Sequence, residues 1–260
     1  MEHRLGIVLS GGGSRGLAHA GVLQALAEAG IHPDCVAGTS SGALVGALWA
    51  AGCGTERVLE FFETASPFRI SRIAPLRKPG WIDTGKIEAD FRPFFPADSF
   101  EALDRRLFVA ATDLAAARLE IFSSGPLFRP LLASSSIPML FTPTVIGGRL
   151  FADGGILDNF PVEPLLGLCD VILGVYASPL TQVEASGLRS SLAVSQRAFE
   201  IGMFHASRRK FHQVELLIAP PRLRDYALFD IRRHREILEL GHAAALARMD
   251  EIRALVERRR

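Results

Sequence analysis

The sequence LGIVLSGGGSRGLAHAGVLQALAEAGIHPDCVAGTSSGALVGALWAA, residues 5–51, decides the fold class. An apolar run from Leu5 to Ser10 stops at glycines, as a buried parallel strand does. Apolar residues then recur at helical spacing as far as Gly30, a typical helix C-cap. A second short strand, Cys35–Ala37, and an alanine-rich helix at 43–51 follow. This β-α-β-α order predicts a parallel sheet with right-handed crossovers.

The rest of the chain continues this α/β pattern. We predict strands at 107–112, 119–123, 144–146 and 171–176, and helices at 56–64, 86–94, about 188–212 and 236–257. The Gly147-Gly148 pair predicts a hairpin turn just before Asp153. Because no long polar linker interrupts the sequence, we expect one domain over 1–260, with its motifs at about 5–179 and a helical part at about 185–260.

One loop, residues 66–80, is rich in proline and basic residues. Long loops of this kind often cover active sites, and they are as often simple surface excursions. The sequence leaves both interpretations open.

Composition narrows the class of protein. A chain of 260 residues, 48% of them hydrophobic, can bury a full core, and a formal net charge of +1 argues against a dedicated nucleic-acid binder. Cys35, Cys53 and Cys169 are odd in number and widely spaced. We therefore expect neither structural disulfides nor a metal site, and a reducing compartment.

Two features concern membranes. The N-terminus has no signal-peptide pattern and no apolar run reaches the roughly 18 residues of a membrane span, so we expect a cytoplasmic protein. From Ile201 to Arg260, however, 13 Lys/Arg residues outnumber 8 Asp/Glu residues. Such an excess is typical of a solvated helix face, and the alternative is a peripheral surface that tolerates anionic lipid headgroups. Nothing in the sequence indicates the oligomeric state.

Ser40 lies at the centre of a G-x-S-x-G pattern, Gly38 to Gly42, between a short strand and a helix. In that context the pattern predicts a nucleophile elbow, a sharp turn with an exposed serine hydroxyl at the strand's carboxyl end. The N-terminal dipole of the following helix would favour negative charge developing there. Alternatively, the hydroxyl residues only cap this helix.

The glycine loop from Gly11 to Gly16 has two interpretations. It fits G-x-G-x-x-G after a strand and before a helix, as a dinucleotide site requires. Such a site needs an acidic residue at the end of the second strand, whereas Asp34 precedes that strand. A hydrolase would instead use the loop's bare N–H groups as an oxyanion hole. The hydrolase explains both glycine motifs at once, because adjacent β-to-α turns open on the same sheet edge.

Asp153, in Asp153-Gly154-Gly155, is the candidate base. Asp158 is the alternative base, although the sequence around Asp158 is more typical of a turn that fixes the loop. Arg15 is predicted to hold the glycine loop through hydrogen bonds to its carbonyls, with contact to a substrate phosphate as the alternative. A catalytic triad with one of the seven histidines is the alternative. His19 is the nearest histidine and is predicted to be a packed helix residue. We expect no cofactor.

Four blocks together resemble the patatin-like phospholipases: Gly11–Gly16, Gly38–Gly42, Ala133-Ser134-Ser135-Ser136-Ile137-Pro138 and Asp153-Gly154-Gly155. The likeness runs from about Leu5 to Pro179. It implies a three-layer α/β/α fold with a mainly parallel sheet and a Ser–Asp dyad, in which Ser40 is the nucleophile, Asp153 the base and Gly11, Gly12 and Gly13 the oxyanion hole. The expected supporting residues of these loops are Arg15, Gly16, Gly38, Gly42, Gly154 and Gly155.

The resemblance also implies a substrate class, lipid or other acyl esters, cleaved through an acyl-enzyme. A free carboxylate with a pKa near 4 is a weak base for a serine hydroxyl, so the dyad requires burial of Asp153. A lipid-binding or regulatory protein with weak turnover is the alternative, and a nicotinamide or flavin oxidoreductase is a more distant one. Phenylalanines either line an acyl channel or belong to the core: Phe61, Phe62, Phe91, Phe94, Phe95 and Phe128.

Overall fold

The computed structural model describes residues 4–64, 80–95, 97–228, 230 and 232–258. Its centre is a single mixed sheet whose strands are β1 Leu5–Leu9, β2 Cys35–Thr39, β3 Arg106–Asp113, β4 Arg118–Phe122, β5 Thr144–Ile146, β6 Arg149–Asp153, β7 Val171–Val175 and β8 Leu216–Ile218. Strands β3, β2, β1, β7 and β8 are adjacent in that order and parallel, while β4, β5 and β6 pair antiparallel. The predicted mainly parallel sheet is confirmed.

Strands β2 and β6 meet end to end alongside β3. Residues 109 and 110 of β3 pair with both β2 and β4, and residues 111–113 pair with both β4 and β6. Since a strand has only two sides, β2 and β6 share one of them. β2 ends with Thr39 opposite Ala110, and the antiparallel β6 ends with Asp153 opposite Ala111. The register therefore brings the residue after Thr39 to the end of β6.

Helices cover both faces of the sheet, as the three-layer prediction requires. A larger and a smaller hydrophobic core lie on opposite faces of the sheet. Successive side chains of β1 point to opposite faces, so Ile7 and Leu9 pack in the larger core and Val8 packs in the smaller one. The α-helices are α1 Leu17–Glu28, α2 Ser41–Ala50, α3 Thr55–Thr64, α4 Phe128–Ser134, α5 Ser191–Arg208, α6 His234–Leu246 and α7 Met249–Glu257. Among the described residues, none of these helices has the length and hydropathy to cross a bilayer.

The C-terminal part differs from the sequence prediction in two ways. It is not only helical, because β8 joins the edge of the sheet beside β7. The helix predicted at 236–257 is two helices, α6 and α7, which separate at Arg248, where ψ is 10°. The sequence already contains this break. Apolar residues on one helix face recur every three or four residues, whereas Ala244 and Met249 are five residues apart.

The middle of the chain brings further corrections. The α-helix predicted at 86–94 is instead two short 3₁₀ turns, Thr84–Lys86 and Glu88–Phe91. Helix α4 was not predicted; its Pro130 lies in the first helical turn, where proline is tolerated. The 66–80 loop lies outside the described residues except for Gly80.

Candidate active site

Ser40 occupies a strained turn between β2 and α2. Its backbone has φ 54° and ψ −125°, a conformation that non-glycine residues rarely adopt. The Ser40 N–H donates a hydrogen bond of 2.8 Å to Oγ of the buried Ser134 in α4. This bond ties the strained residue to a neighbouring element. The backbone has the sharp turn of the predicted nucleophile elbow, but the serine predicted to be exposed is only 6% exposed.

Ser134 gives a testable expectation about this turn. Ser134→Ala leaves the buried Ser40 N–H without its acceptor, so we expect the free energy of unfolding to fall by about 1–3 kcal/mol, and kcat to fall with it. Thermal denaturation and steady-state kinetics measure both. Ser135→Ala is the matched control, because within the described part of the chain Ser135 Oγ has no hydrogen-bond partner. Equal stability of the two variants would contradict the expectation.

Asp153 ends β6 with its carboxylate against Ser40. The Ser40 hydroxyl lies near enough to this carboxylate to lower the pKa of Asp153, and Gly155 N donates a hydrogen bond of 2.7 Å to Oδ1. Asp153 is 3% exposed, and burial raises the pKa of Asp153 to about 7, against the smaller opposing effects of the Gly155 N–H and the Ser40 hydroxyl. A carboxylate in this environment is a far stronger base than one in water.

The glycine loop after β1 is fixed at its first residue. Gly11 N donates to Asn159 Oδ1 at 3.1 Å, and the Gly11 carbonyl accepts from the hydroxyls of Ser178 at 2.7 Å and Ser10 at 3.0 Å. The N–H of Gly11, which was predicted to be an oxyanion-hole donor, is therefore already donated to Asn159 in this structure. Among the described residues, the N–H groups of Gly12 and Gly13 have no acceptor.

The remaining glycines permit close approach of main chains. A side chain at Gly42 would place its Cβ 2.2 Å from the carbonyl oxygen of Leu9, so only glycine lets α2 pack directly on β1. At the other predicted glycines a Cβ would also meet a neighbour within about 3 Å: Gly16, Gly38, Gly154 and Gly155.

The other candidate residues have distinct places. Arg15 is buried at the site, yet its side chain makes no hydrogen bond to a loop carbonyl among the described residues, so the predicted supporting role is not seen. Burial lowers the pKa of Arg15, while Glu200 opposes this shift. His19 is fully buried with Nε2 2.7 Å from the Ser10 carbonyl oxygen, and burial lowers its pKa to about 4. It is a neutral packed residue, as predicted.

A cavity of about 200 Å³ opens beside Ser40 and Asp153. Residues 137–140 line one side, and α5 lines another with Phe199 and Met203. Of these lining residues, the sequence analysis singled out only Ile137 and Pro138, as part of a family block and not as a cavity lining. The phenylalanines considered for an acyl channel lie elsewhere in the larger core: Phe61, Phe62, Phe91, Phe94, Phe95 and Phe128.

Comparison with known proteins adds a family. The family model described as patatin-like phospholipase matches residues 7–166. An uncharacterized NTE family protein of Mycobacterium bovis is 38% identical over 170 residues, 64% of this chain and 46% of that protein. A Coccidioides immitis protein named lysophospholipase NTE1 is 32% identical over 195 residues, 73% of this chain and 12% of that protein. The chain thus spans less than half the length of these relatives.

Solved structures show a similar fold. VipD from Legionella pneumophila matches with a TM-score of 0.54 and 15% identity, over 100% of this chain and 67% of that chain. Human GIVD cytosolic phospholipase A2, in complex with a fluorophosphonate inhibitor, matches with a TM-score of 0.54 and 12% identity, over 99% of this chain and 60% of that chain. At such identities the similarity concerns the fold alone.

Proposed function

The chain belongs to the patatin-like phospholipase family, and from that premise we propose that it hydrolyses acyl esters of lipids through an acyl-enzyme on Ser40. The observation that carries the proposal is the placement of Ser40 beside the buried Asp153 carboxylate, where the register of β2 and β6 brings both residues to one wall of the cavity. A serine nucleophile and a carboxylate of raised basicity are the two groups that a dyad needs.

The proposed reaction has two halves. Asp153 takes the proton of Ser40 as Oγ attacks the ester carbonyl, and then gives that proton to the departing alcohol, which leaves an acyl-Ser40. Asp153 next takes a proton from water, which attacks the acyl-enzyme, and then returns this proton to Ser40 Oγ as the acyl bond breaks. The carboxylic acid leaves, and the Ser40 hydroxyl and the Asp153 carboxylate are restored. In both tetrahedral intermediates the oxyanion accepts hydrogen bonds from Gly12 and Gly13 N–H, each good donor being worth roughly 3–4 kcal/mol.

The substrate class follows from the cavity and from one relative. Ile137, Met139, Leu140, Phe199 and Met203 give the cavity an apolar lining suited to an acyl chain. The name of the fungal relative refers to a lysophospholipase, which supports a phospholipid or lysophospholipid as substrate here. The excess of basic residues after Ile201 supports a peripheral contact with an anionic lipid surface.

A panel of esters tests this proposal. We expect the purified protein to release fatty acid from phosphatidylcholine or lysophosphatidylcholine faster than from triacylglycerol, acyl thioesters or short p-nitrophenyl esters. Quantification of free fatty acid by mass spectrometry, with Ser40→Ala as the blank for each substrate, gives the result. No Ser40-dependent release from any ester would overturn the hydrolase assignment, and release only from short esters would overturn the lipid substrate.

A further inference from the structure

Lys210 lies just after α5, outside every catalytic motif, and makes two ion pairs. Its Nζ is 2.6 Å from Asp158 Oδ2 and 2.6 Å from Glu163 Oε1. The Glu163 side chain is 53% exposed, whereas that of Asp158 is only 3% exposed. Burial raises the pKa of Asp158, and the hydrogen bond and charge of Lys210 oppose that shift. Lys210 thus compensates a buried carboxylate that would otherwise be costly to ionise.

The turn that carries Asp158 touches both halves of the candidate active site. The Asp158 carbonyl accepts a 2.9 Å hydrogen bond from Oγ1 of Thr39, the residue before the nucleophile. The next residue, Asn159, accepts the 3.1 Å hydrogen bond from Gly11 N at the start of the oxyanion loop. One turn therefore contacts the elbow and the glycine loop together.

The carboxylate of Asp158 holds this turn from inside. Its Oδ1 accepts a 3.0 Å hydrogen bond from Phe160 N, which closes an Asx turn, and its Oδ2 accepts the bond from Lys210. The Asp158 N–H also donates to the Gly154 carbonyl at 2.8 Å, beside the candidate base. The orientation of the Asp158 side chain thus decides where the Asn159 amide and the Asp158 carbonyl lie.

We propose that Lys210 is a positioning residue for the hydrolysis reaction. Its ammonium group fixes Asp158, and through the Asp158-Asn159 turn it sets the distance between Ser40 and the N–H groups of Gly12 and Gly13. Lys210 does not line the cavity, so it acts without touching substrate. The inference rests on the proposed function, because the geometry that it concerns is that of the Ser40 reaction.

The proposal predicts a selective kinetic defect. Lys210→Met keeps much of the aliphatic stem and removes the charge, and we expect kcat to fall roughly 10- to 100-fold with KM changed by less than about threefold, since misplacement of reacting groups by about 1 Å costs that much. Lys210→Arg keeps a cation and is expected to recover most of kcat. Glu163→Gln is the matched control: it removes the exposed partner of the same lysine and should leave kcat unchanged.

The experiment uses the full chain and the lipid ester that the wild type cleaves fastest, with thermal denaturation and fluorophosphonate titration of each variant to measure the folded, reactive fraction. Asp158→Asn/Lys210→Met removes both charges, so it folds without an unpaired buried ion but is expected to keep the low kcat. A folded double variant with the kcat of the wild type overturns the inference. The inference is also overturned if the fall in activity of Lys210→Met is no larger than the fraction of that variant that is unfolded. Absence of wild-type turnover would instead refute the proposed function.

Discussion

Ser40→Ala is expected to abolish lipid ester hydrolysis, with kcat falling by several orders of magnitude. The Oγ atom of Ser40 forms the bond to the acyl group. Ser40 and Asp153 act as a unit, so the loss of Oγ removes nearly all of the rate that the pair provides. The variant keeps a Cβ at φ 54°, so its fold and its cavity should be unchanged. Free fatty acid release measures the loss, and unchanged thermal denaturation shows that the variant is folded.

Covalent labelling identifies the nucleophile directly. An alkyl fluorophosphonate should label the wild type at Ser40 and spare Ser40→Ala. Ser41→Ala is the neighbouring control, because among the described residues the Ser41 hydroxyl has no hydrogen-bond partner, and this variant should label like the wild type. Labelling that persists in Ser40→Ala would place the nucleophile elsewhere and would contradict the dyad.

The strained backbone adds a stability readout. Glycine adopts a positive φ without steric cost, so Ser40→Gly should be inactive yet more stable than Ser40→Ala by about 1 kcal/mol. Chemical denaturation of the two inactive variants measures the difference. Lower stability of Ser40→Gly would show that the turn stores no strain.

Asp153→Asn is the second change with a large expected effect. The amide keeps an oxygen that can accept from Gly155 N but cannot take the proton of Ser40, so turnover should fall by several orders of magnitude. In the wild type, burial raises the pKa of Asp153 to about 7, and the base is active only when ionised. The wild-type kcat/KM should therefore rise with pH through about 7 and level off above it. A folded Asp153→Asn variant with normal esterase activity would refute the dyad.

The same substitution should stabilise the protein at high pH. The pKa of Asp153 rises from a reference of 3.8 to about 7 on folding, so the folded state holds its proton more tightly. The protonated Asp153 therefore contributes to the free energy of unfolding. This contribution is complete below pH 3.8 and is lost as the pH rises through about 7. Asparagine has no such loss. Thermal denaturation of both proteins should give similar values at pH 4 and a clear advantage for Asp153→Asn at pH 8, and a pH-independent difference would contradict the raised pKa.

Local sequence predicted the parts of the site that backbone geometry dictates. The elbow around Ser40 and the Gly11–Gly16 loop follow short strands and precede helices, and each needs glycine for close packing or unusual dihedral angles. Their adjacency follows from the parallel pairing of β1 and β2. These features are properties of a few neighbouring residues, so the sequence alone could predict them.

The unpredicted parts depend on contacts between distant segments. The bond from Gly11 to Asn159, which engages the N–H of Gly11, joins two loops with no common sequence pattern. Strand β8 has only three residues, too few for a periodic signal, and it lacks the adjacent glycine turn that indicated the equally short β5. The pairing of Lys210 with Asp158 likewise has no local signature, because a lysine after a helix is usually solvated.

Of two segments of the chain that line the cavity, only one lies within the residues that the family model matches. The side of the cavity at 137–140 belongs to the segment that the family model covers, whereas α5 lies beyond that segment. Ser195, Phe199 and Met203 make no side-chain hydrogen bond to Ser40 or Asp153 among the described residues. Under the proposed function, a combinatorial library at Ser195 and Phe199 of this helix is therefore expected to vary acyl-chain preference without altering a hydrogen bond of Ser40 or Asp153.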